Sequence, residues 1–588
     1  MKLAVCFGGF DSAATLRDML AAQRARPAQV GTTHTLDQGS IGWLCRPEEA
    51  SCTFLRQTAD GSVLAVAGLP ISTAATAERL LDGILHEPRP EDRLIQLDGA
   101  FAAVLWDARR RRLIVVTDFL GLQPLYFAQD NGRLLIASEI KGVAAAMSKV
   151  EMDPQGWGAF VSMGHFLGDS TSAAGIRRVP AASVLVFDAA GRKLEERQYW
   201  RWPTASPATA DTRAIAEVLQ REVSEYARYH APGTVLLSGG FDSRLLLCLL
   251  QHAGLAPTAL SVAHPGERLD ADSRYARATA ATLGVECRVE PPVADFYSSD
   301  AYRCYLADNE VANPSLGLFI ARVARNLQPE MGAVWEGVSP GYALAFPRIP
   351  EATLDCYLRH RCQSADAPIH AAARLVFRCG DDLRTAFDRQ LAEEATACPR
   401  TDAGLLEFEA RHQMRNRMGH NPLKVYSNDV LCFTPGLTRA FWTMAASIPY
   451  SEKVDFGLYF RLFREQFPAA LRTPFCSAGR LWSDRPRLDP FYFAARLFPP
   501  PGAQTAARLW KRWRGGATLP AIAARTVARI DPEHPDLNRD TVARLQREGP
   551  HGAAGHHAQA LLFYWQVWRD VMEGRARPTV GAVEEAAA

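Results

Sequence analysis

Features that would mark a membrane, secreted or nucleic-acid-binding protein are missing from this chain of 588 residues. No apolar run approaches the roughly 20 residues that a membrane-spanning helix needs, and the N-terminus has no signal-peptide pattern. Lys and Arg number 66 against 64 Asp and Glu, so the net charge of +2 gives no general electrostatic reason to expect nucleic acid or an anionic membrane as a partner. We therefore expect a cytoplasmic protein.

The sequence also lacks a disulfide or metal-site framework. Its 12 cysteines are spread singly from Cys6 to Cys476 without a CxxC pair, which is typical of reduced thiols in a cytosolic protein. Hydrophobic residues make up 48% of the chain and charged residues 22%. At this length and composition the chain can form two to four globular domains with substantial cores.

The pattern of apolar segments divides the chain into two parts. Residues 1–200 alternate short apolar strands with Gly, Asp and Pro turns, which predicts a sheet-rich domain. Residues 201–212, RWPTASPATADT, are typical of a linker. Residues 213–588 begin with strands that alternate with long helices and continue as amphipathic helix after about residue 350, which predicts an α/β domain with a parallel sheet and a helical C-terminal part.

The pentapeptide GGFDS occurs twice, at 8–12 and at 239–243, each time between a strand and a helix. The second copy follows Ser238, and its glycines and helix N-terminus predict a phosphate site, because free N–H groups and the helix dipole attract anions. Asp242 would repel a phosphate, so we interpret it as a ligand of Mg²⁺, with Ser238 and Ser243 donating to phosphate oxygens. The first copy has Phe7 at the position of Ser238, and we expect only a structural turn there.

The segments around the second copy resemble the asparagine synthetase family. SGGFDS at 238–243 looks like the pyrophosphate loop of the N-type ATP pyrophosphatases, and TALSV at 258–262 like the strand whose backbone recognises adenine. Two further segments fit, DSRYARATAATLGV at 272–285 and DNEVANPSLGLFIARVA at 308–324. The resemblance implies a set of ATP-binding residues: Ser238, Gly239, Gly240, Asp242, Ser243, Ser261 and Val262.

The resemblance extends over most of the chain. RNRMGHNPLKVYSNDVLCF at 415–433 places Lys424 and Asp429 at the family's basic and aspartate positions. In the N-terminal half, the segments similar to the family's glutaminase domain are LDGAFAAVLWD at 97–107, DFLGLQPLY at 118–126, ASEIKG at 137–142 and YW at 199–200. The implied fold is an α/β one: an Ntn-hydrolase-like α/β/β/α sandwich followed by a parallel-sheet PP-loop ATP pyrophosphatase domain.

The glutaminase half departs from the family pattern. An active enzyme of this family begins Met-Cys-Gly and uses the cysteine as an N-terminal nucleophile, whereas the second residue here is Lys2. Cys6 lies inside the strand LAVCF, has no free α-amine, and is expected to be a small buried residue. The glutamine-binding stretch of the family falls on AGLPIS at 67–72, which keeps none of its polar donors. We expect no release of ammonia from glutamine.

The synthetase half also departs at two positions. The second pyrophosphate-contacting loop of the family falls on WEGVSPGY at 335–342, where Gly337 is kept and the aspartate is lost, which leaves Glu336 as a second candidate ligand for Mg²⁺. The family's Arg-x-Lys falls near residues 474–480, with Cys476 at the lysine position. A cation must balance the charge of leaving pyrophosphate, and the candidates are Lys453, Arg472 and Arg480.

An ATP loop with a degenerate glutaminase resembles the lasso-peptide cyclases, which form a macrolactam. The implied reaction is adenylation of an Asp or Glu side chain in a leader-free peptide, followed by attack of the peptide's N-terminal amine and release of AMP. The implied partners are a leader-recognition protein and a leader peptidase. Three alternatives stay open: a small-molecule amide or β-lactam synthetase, an ammonia-dependent asparagine synthetase, and a non-catalytic nucleotide-binding descendant.

Overall fold

The computed structural model describes residues 1–8, 11–36, 38–47, 49, 54–72, 77–203, 208–263, 271–291, 300–312, 323–324, 326–477, 480–482 and 519–575. Most of the segment 308–324 that resembles the family lies outside these ranges, and so do Gly9 and Phe10 of the first GGFDS copy.

Two antiparallel sheets of six strands each form the N-terminal part. Their spatial orders are β10-β8-β9-β1-β3-β2 and β12-β11-β7-β6-β5-β4. The strands are β1 (Lys2–Phe7), β2 (Val30–Thr35), β3 (Gly39–Cys45), β4 (Phe54–Gln57), β5 (Val63–Ile71), β6 (Asp98–Asp107), β7 (Arg112–Thr117), β8 (Tyr126–Asp130), β9 (Arg133–Ala137), β10 (Arg177–Arg178), β11 (Ser183–Asp188) and β12 (Lys193–Gln198).

The two sheets pack face to face because successive side chains of a strand point to opposite faces. Leu3, Val5 and Phe7 of β1 share one apolar cluster with side chains of the second sheet, while Ala4 and Cys6 face helices on the other side. The helices of this part are α1 (Ser12–Gln23), α2 (Ala77–Leu81), α3 (Glu91–Leu94), α4 (Ile140–Ala144) and α5 (Pro154–Met163). The predicted α/β/β/α sandwich is confirmed.

A five-stranded, all-parallel sheet forms the core of the second part, in the order β15-β14-β13-β16-β17. Its strands are β13 (Thr234–Leu236), β14 (Thr258–Val262), β15 (Cys287–Glu290), β16 (Ala333–Trp335) and β17 (Leu431–Phe433). The helices that accompany it are α6 (Thr212–Ala227), α7 (Phe241–His252), α8 (Ala271–Thr282) and α9 (Asp300–Asp308). The chain runs from β13 outward to β15 and returns to β16 on the other side of β13. The gap between β13 and β16 is therefore the topological switch point, where open parallel sheets bind their ligands.

Helices dominate the remainder, as the sequence predicts. They are α10 (Val338–Leu344), α11 (Leu354–Arg361), α12 (Pro368–Val376), α13 (Gly380–Thr396), α14 (Asp402–Phe408), a π-helical segment (Glu409–Lys424), α15 (Arg439–Ser447), α16 (Tyr450–Lys453), α17 (Gly457–Gln466), α18 (Leu519–Val527), α19 (Arg539–Glu548) and α20 (Gly552–Met572). A short hairpin of β18 (Phe475–Ser477) and β19 (Arg480–Trp482) follows α17, and single 3₁₀ turns span Ile84–His86, Pro329–Met331 and Pro468–Arg472. Within the described ranges, no helix is both long and apolar enough to cross a bilayer.

Candidate active site

The second GGFDS copy forms a closed loop between β13 and α7. The Ser238 and Ser243 hydroxyl oxygens lie 2.9 Å apart, and the Ser238 N–H donates to Oγ of Ser243 at 3.0 Å. The Gly240 N–H donates to Oγ of Ser238 at 3.2 Å, and the Gly239 N–H to Oδ1 of Asp272 at 2.9 Å. The expectation of free N–H groups is therefore wrong for positions 238 to 240, because nearby side-chain oxygens accept their hydrogen bonds.

The N-terminus of α7 carries the remaining anion-binding capacity. The helix begins at Phe241 with Gly240 as its N-cap, and among the described residues no side chain caps it. The first amides of a helix have no partner within the helix, and the helix dipole makes this end positive. The turn at 240–243 can thus receive an anionic oxygen, as a phosphate-binding loop does.

Two carboxylates of similar chemistry meet at the switch point. Asp242 lies in the first turn of α7, and Glu336 directly follows β16. Burial raises the pKa of Asp242 to about 6, although a hydrogen bond from the Tyr459 hydroxyl acts in the opposite direction. Burial and the nearby charge of Asp242 raise the pKa of Glu336 to about 8. The charge of Asp242 therefore disfavours the ionised form of Glu336 unless a cation lies between them.

Glycines allow this close approach. A Cβ added at Gly337 would lie 2.7 Å from the backbone of Asp242, and one added at Gly341 would lie 2.6 Å from Oδ2 of Asp242. Real Cβ atoms essentially never come that close to another heavy atom. Gly337, which the sequence assigned to the ATP site, thus sets the distance between α10 and the loop, and Gly341 sets the position of the Asp242 carboxylate.

The strand assigned to adenine ends beside the loop. β14 runs parallel to β13, and the Leu237 N–H donates to the Leu260 carbonyl at 2.9 Å. Ser261 and Val262 follow at the carboxyl end of β14 and are buried. Parallel strands present their carboxyl ends at one edge of the sheet. Ser261 and Val262 therefore lie at the same edge as the loop, as the assignment requires.

Cys476, at the lysine position of the family, touches the loop through its backbone. Its N–H donates to the Gly239 carbonyl at 2.7 Å, and a Cβ added at Gly239 would lie 3.0 Å from the Cβ of Cys476. Arg244 holds this segment in place, because its buried guanidinium donates to the carbonyls of Ala470, Thr473 and Pro474. The guanidinium also stacks 3.8 Å above the Phe475 ring. A further hydrogen bond, to the Gly239 carbonyl at 3.4 Å, connects the same guanidinium to the loop.

None of the three predicted cations has a described side-chain contact with the loop 238–243. Lys453 is buried, its ammonium donates to the Ala445 carbonyl at 2.6 Å, and burial lowers its pKa to about 7. Arg472 is exposed at the end of a 3₁₀ turn, and Arg480 pairs through its backbone with Ser477 in the β18–β19 hairpin. The side chain of Arg480 lies outside the described part of the structure. Lys453 is directed to α15 rather than to the loop.

Lys424 and Asp429 connect the two halves of the protein. Lys424 pairs with Glu310 and lies 3.6 Å from Oε1 of Glu139. The Asp429 carboxylate accepts two hydrogen bonds from Arg26, at 2.7 and 2.8 Å. Both residues therefore stabilise the interface with residues 1–200 instead of contacting the loop.

In the first GGFDS copy, the described Asp11 has a structural contact. Asp11 is exposed and caps α1, accepting a hydrogen bond from the Ala14 N–H at 2.9 Å. Cys6 is fully buried in β1, and burial raises the pKa of its thiol to about 11.

The two carboxylates and the uncapped helix fit Mg²⁺ and a nucleotide triphosphate. Mg²⁺ is commonly held by one or two carboxylates, with substrate phosphates and waters completing its coordination. In the described residues no cluster of three or more His, Cys, Asp or Glu side chains forms a complete metal site, so phosphate oxygens would supply the missing ligands. A cation there would oppose the effect of burial and favour the ionised forms of Asp242 and Glu336.

Four residues of the site had no interpretable sequence signal. Tyr459 bonds Asp242 across 217 residues of sequence, and Asp272 bonds Gly239 across 33. Gly341 and Arg244 stand beside recognised motifs, but their roles depend on packing against distant segments. Gly341 is the fourth residue of the short helix α10, where glycine is unfavourable, and this is a weak sign of close packing.

Comparison with known proteins finds two family matches in the chain. Residues 63–200 match a glutamine amidotransferase domain, and residues 214–319 match asparagine synthase. Asparagine synthetase [glutamine-hydrolyzing] 1 of Bacillus subtilis is 25% identical over 37% of this chain and 34% of its own length. Amidase chyE of Penicillium rubens is 30% identical over 25% of this chain and 22% of its own length. The chain thus spans about a third or less of these relatives.

Among solved structures, the glutamine phosphoribosylpyrophosphate amidotransferase of Bacillus subtilis aligns with 49% of this chain and 65% of its own. The TM-score is 0.25 and the sequence identity 13%.

Proposed function

Because the chain belongs to the asparagine synthetase family, we propose that it is an ATP-dependent amide ligase that activates a carboxylate at the loop 238–243 and releases AMP and pyrophosphate. The observation that carries the proposal is the pairing of Asp242 and Glu336 beside an uncapped helix N-terminus at the switch point of a parallel sheet.

The chemistry needs activation because a carboxylate is a poor electrophile. A carboxylate oxygen of the substrate attacks the α-phosphorus of ATP, and the bond to pyrophosphate breaks. An amine nitrogen then attacks the acyl carbon, the C–N bond forms, the bond to AMP breaks, and the amine loses a proton. Asp242 and Glu336 would hold Mg²⁺, which neutralises phosphate charge when bound. The α7 N-terminus, Ser238 and Ser243 would orient the phosphates.

The amine is proposed to come from a source other than glutamine. Lys2 stands at the position of the nucleophilic cysteine, and its ammonium lies 3.0 Å from Oε1 of Glu139 and donates to the Gln23 carbonyl. A cavity of about 80 Å³ beside it is lined by Lys2, Gly68 and Glu139 from the N-terminal part, and by Lys424 and others from the second part. The buried Cys6 cannot act as an N-terminal nucleophile because it has no free α-amine.

The specific reaction we propose is macrolactam formation in a leader-free peptide. The side chain of an Asp or Glu would be adenylated, and the N-terminal amine of the same peptide would close the ring. Holding both reacting groups of one molecule removes much of the entropic barrier, up to about 7–11 kcal/mol in favourable cases. A leader-recognition protein and a leader peptidase would supply the peptide with its free amine.

The test is mass spectrometry of the purified protein with ATP, Mg²⁺ and the leader-free peptide encoded beside its gene. Peptide mass and nucleotide products are measured together, with Asp242→Asn as the inactive control. We expect loss of one water from the peptide, one AMP per ring and no ADP. A parallel reaction with glutamine is expected to release no glutamate.

Other outcomes would contradict specific parts of the proposal. AMP formed with free amino acids or ammonia but not with peptide would replace the macrolactam reaction by a small-molecule ligase. Glutamate release would refute the absence of glutaminase activity. Nucleotide binding without AMP for any substrate would refute the ligase assignment itself.

A further inference from the structure

A second cavity, of about 130 Å³, lies between the N-terminal part and the helices of the second part. Its lining includes Phe119, Trp200 and Trp202 on one side, and Glu394 and His412 on the other. It shares no lining residue with the loop 238–243 or with Glu336. Its size is comparable with that of a roughly 150 Å³ protein cavity that accommodates benzene.

The hydrogen bonds of His412 define a donor in this cavity. The residue is 1% exposed, and its Nδ1 accepts a hydrogen bond from the Gly168 N–H at 3.1 Å. Nε2 must then carry the proton of the neutral ring. Nε2 lies 3.7 Å from Oε2 of Glu394, beyond hydrogen-bond distance, and has no hydrogen-bond partner among the described residues. Burial keeps the pKa of His412 far below its ordinary value, so the ring stays a neutral donor.

Two arginines on the same helical segment provide further unpartnered N–H donors. Arg415 uses its terminal nitrogens on Asp169 at 2.6 Å and on the Val179 carbonyl at 2.7 Å, and Arg411 pairs with Glu407 at 2.6 Å. The Nε atoms of both arginines are buried and unpartnered within the described ranges. All the unpartnered buried polar atoms among the described lining residues are thus N–H donors. A buried donor without an acceptor is destabilising, so the cavity favours a ligand that brings an acceptor.

The opposite wall is aromatic. Phe119 and Trp200 pack edge to face with centroids 5.1 Å apart, and Trp200 and Trp202 do so at 5.0 Å. Both tryptophans are half-buried and line the cavity. A flat ring placed there would gain stacking contacts in addition to apolar burial.

The acceptor that fits is neutral. Among the lining residues Asp169 and Glu394 already balance Arg411 and Arg415, so a further carboxylate would give the cavity a negative balance. A secondary amide instead supplies a carbonyl for the Nε2–H of His412 and an N–H for the carboxylate of Glu394. We propose that this cavity binds a peptide-type amide carrying an aromatic side chain, with its ring against Trp200 and Trp202.

Calorimetric titration of the full chain with N-acetyl-L-phenylalaninamide tests the proposal. N-acetyl-L-alaninamide lacks the ring, and 3-phenylpropionate replaces the amide by a carboxylate. We expect the phenylalanine amide to bind about tenfold more tightly than either. His412→Phe should weaken binding about tenfold, and His412→Gln, which keeps an N–H donor, should restore most of it.

Two further variants keep the test decisive. Trp202→Leu changes the half-exposed wall without touching the buried histidine and should also weaken binding, while exposed His252→Phe should not. Asp242→Asn should bind the amide like the parent chain, which separates this site from the ligase chemistry. Tighter binding of the carboxylate, indifference to both His412→Phe and Trp202→Leu, or no saturable binding at millimolar concentrations would each overturn the proposal.

Discussion

The same five residues, GGFDS, stand in two places in this protein and behave differently. At 8–12 the copy ends a strand of an antiparallel sheet, and Asp11 is an exposed N-cap that bonds Ala14. At 239–243 it ends the central strand of a parallel sheet, and Asp242 faces Glu336 in a crevice that raises its pKa to about 6. In both places the pentapeptide stands between a strand and a helix, and the surrounding elements determine whether a candidate binding site forms there.

The difference follows from sheet topology. An antiparallel strand has neighbours that run in the opposite direction, so β1 meets β3 and β9 without a shared carboxyl edge. In the parallel sheet the loops after β13, β14 and β16 gather at one edge, which brings Glu336 and the end of β14 beside the second copy. That arrangement can surround a ligand with groups from several strands.

Substituting the aspartate of each copy in turn should give the largest difference between the two copies. Asp242→Asn removes a carboxylate expected to hold Mg²⁺, and we expect AMP formation to fall on the order of 10³-fold with little change in the melting temperature. Asp11→Ala removes only a helix cap and should lower the free energy of unfolding by about 1 kcal/mol while turnover stays unchanged. Equal losses of turnover in the two variants would refute the assignment of the second copy.

Sequence predicted the parts of this comparison that are local. The strand before and the helix after each copy, the parallel sheet and the buried Cys6 all follow from residues close in sequence. The partners of Asp242 do not, because Tyr459 comes from a helix that packs on the loop only in the folded chain. Free N–H groups were wrongly expected at 238 to 240 for the same reason: Asp272, from another helix, accepts one of them.

Close packing beside the second copy gives the next prediction. Gly341→Ala would place a Cβ 2.6 Å from Oδ2 of Asp242, so the carboxylate must move. A displacement of about 1 Å at a reacting group can cost about 10²-fold in rate, and we expect a loss of that order in kcat.

Gly555→Ala is the matched control for Gly341→Ala. It lies in α20, and its added Cβ would approach no atom closer than 3.3 Å. Alanine favours a helix over glycine by about 0.5–1 kcal/mol at either position, and the melting temperatures of both variants are measured to separate lost rate from lost stability. Full activity of Gly341→Ala would show that Asp242 tolerates displacement.

The hydrogen bond from Tyr459 predicts a pH dependence of activity at the second copy. Its hydroxyl bonds Asp242 and lowers the pKa of that carboxyl, opposing the effect of burial. In Tyr459→Phe the pKa of Asp242 should rise above about 6, so the acidic limb of kcat/KM for the free enzyme should move to higher pH.

The expected result for Tyr459→Phe is a several-fold loss of kcat/KM near pH 7 that recovers in more alkaline buffer. Tyr450→Phe removes a hydroxyl that bonds the Pro347 carbonyl and should leave the limb in place. A uniform loss across pH in Tyr459→Phe would mean that the tyrosine acts by packing alone.

The smallest expected effect is that of Glu336→Gln on stability. It tests whether the paired carboxylates of Asp242 and Glu336 destabilise the folded protein. The pKa of Glu336 rises from 4.5 to about 8 on folding, so its contribution to stability is fully present below pH 4.5 and is lost as pH rises through 8. Glu336→Gln should therefore melt about 2 °C higher than the parent at alkaline pH and equally near pH 4. The exposed Glu330→Gln should show no such dependence. A gap of the same size at both pH values would place the cause in packing, and the paired carboxylates would then not be the strained feature that separates this copy from the first.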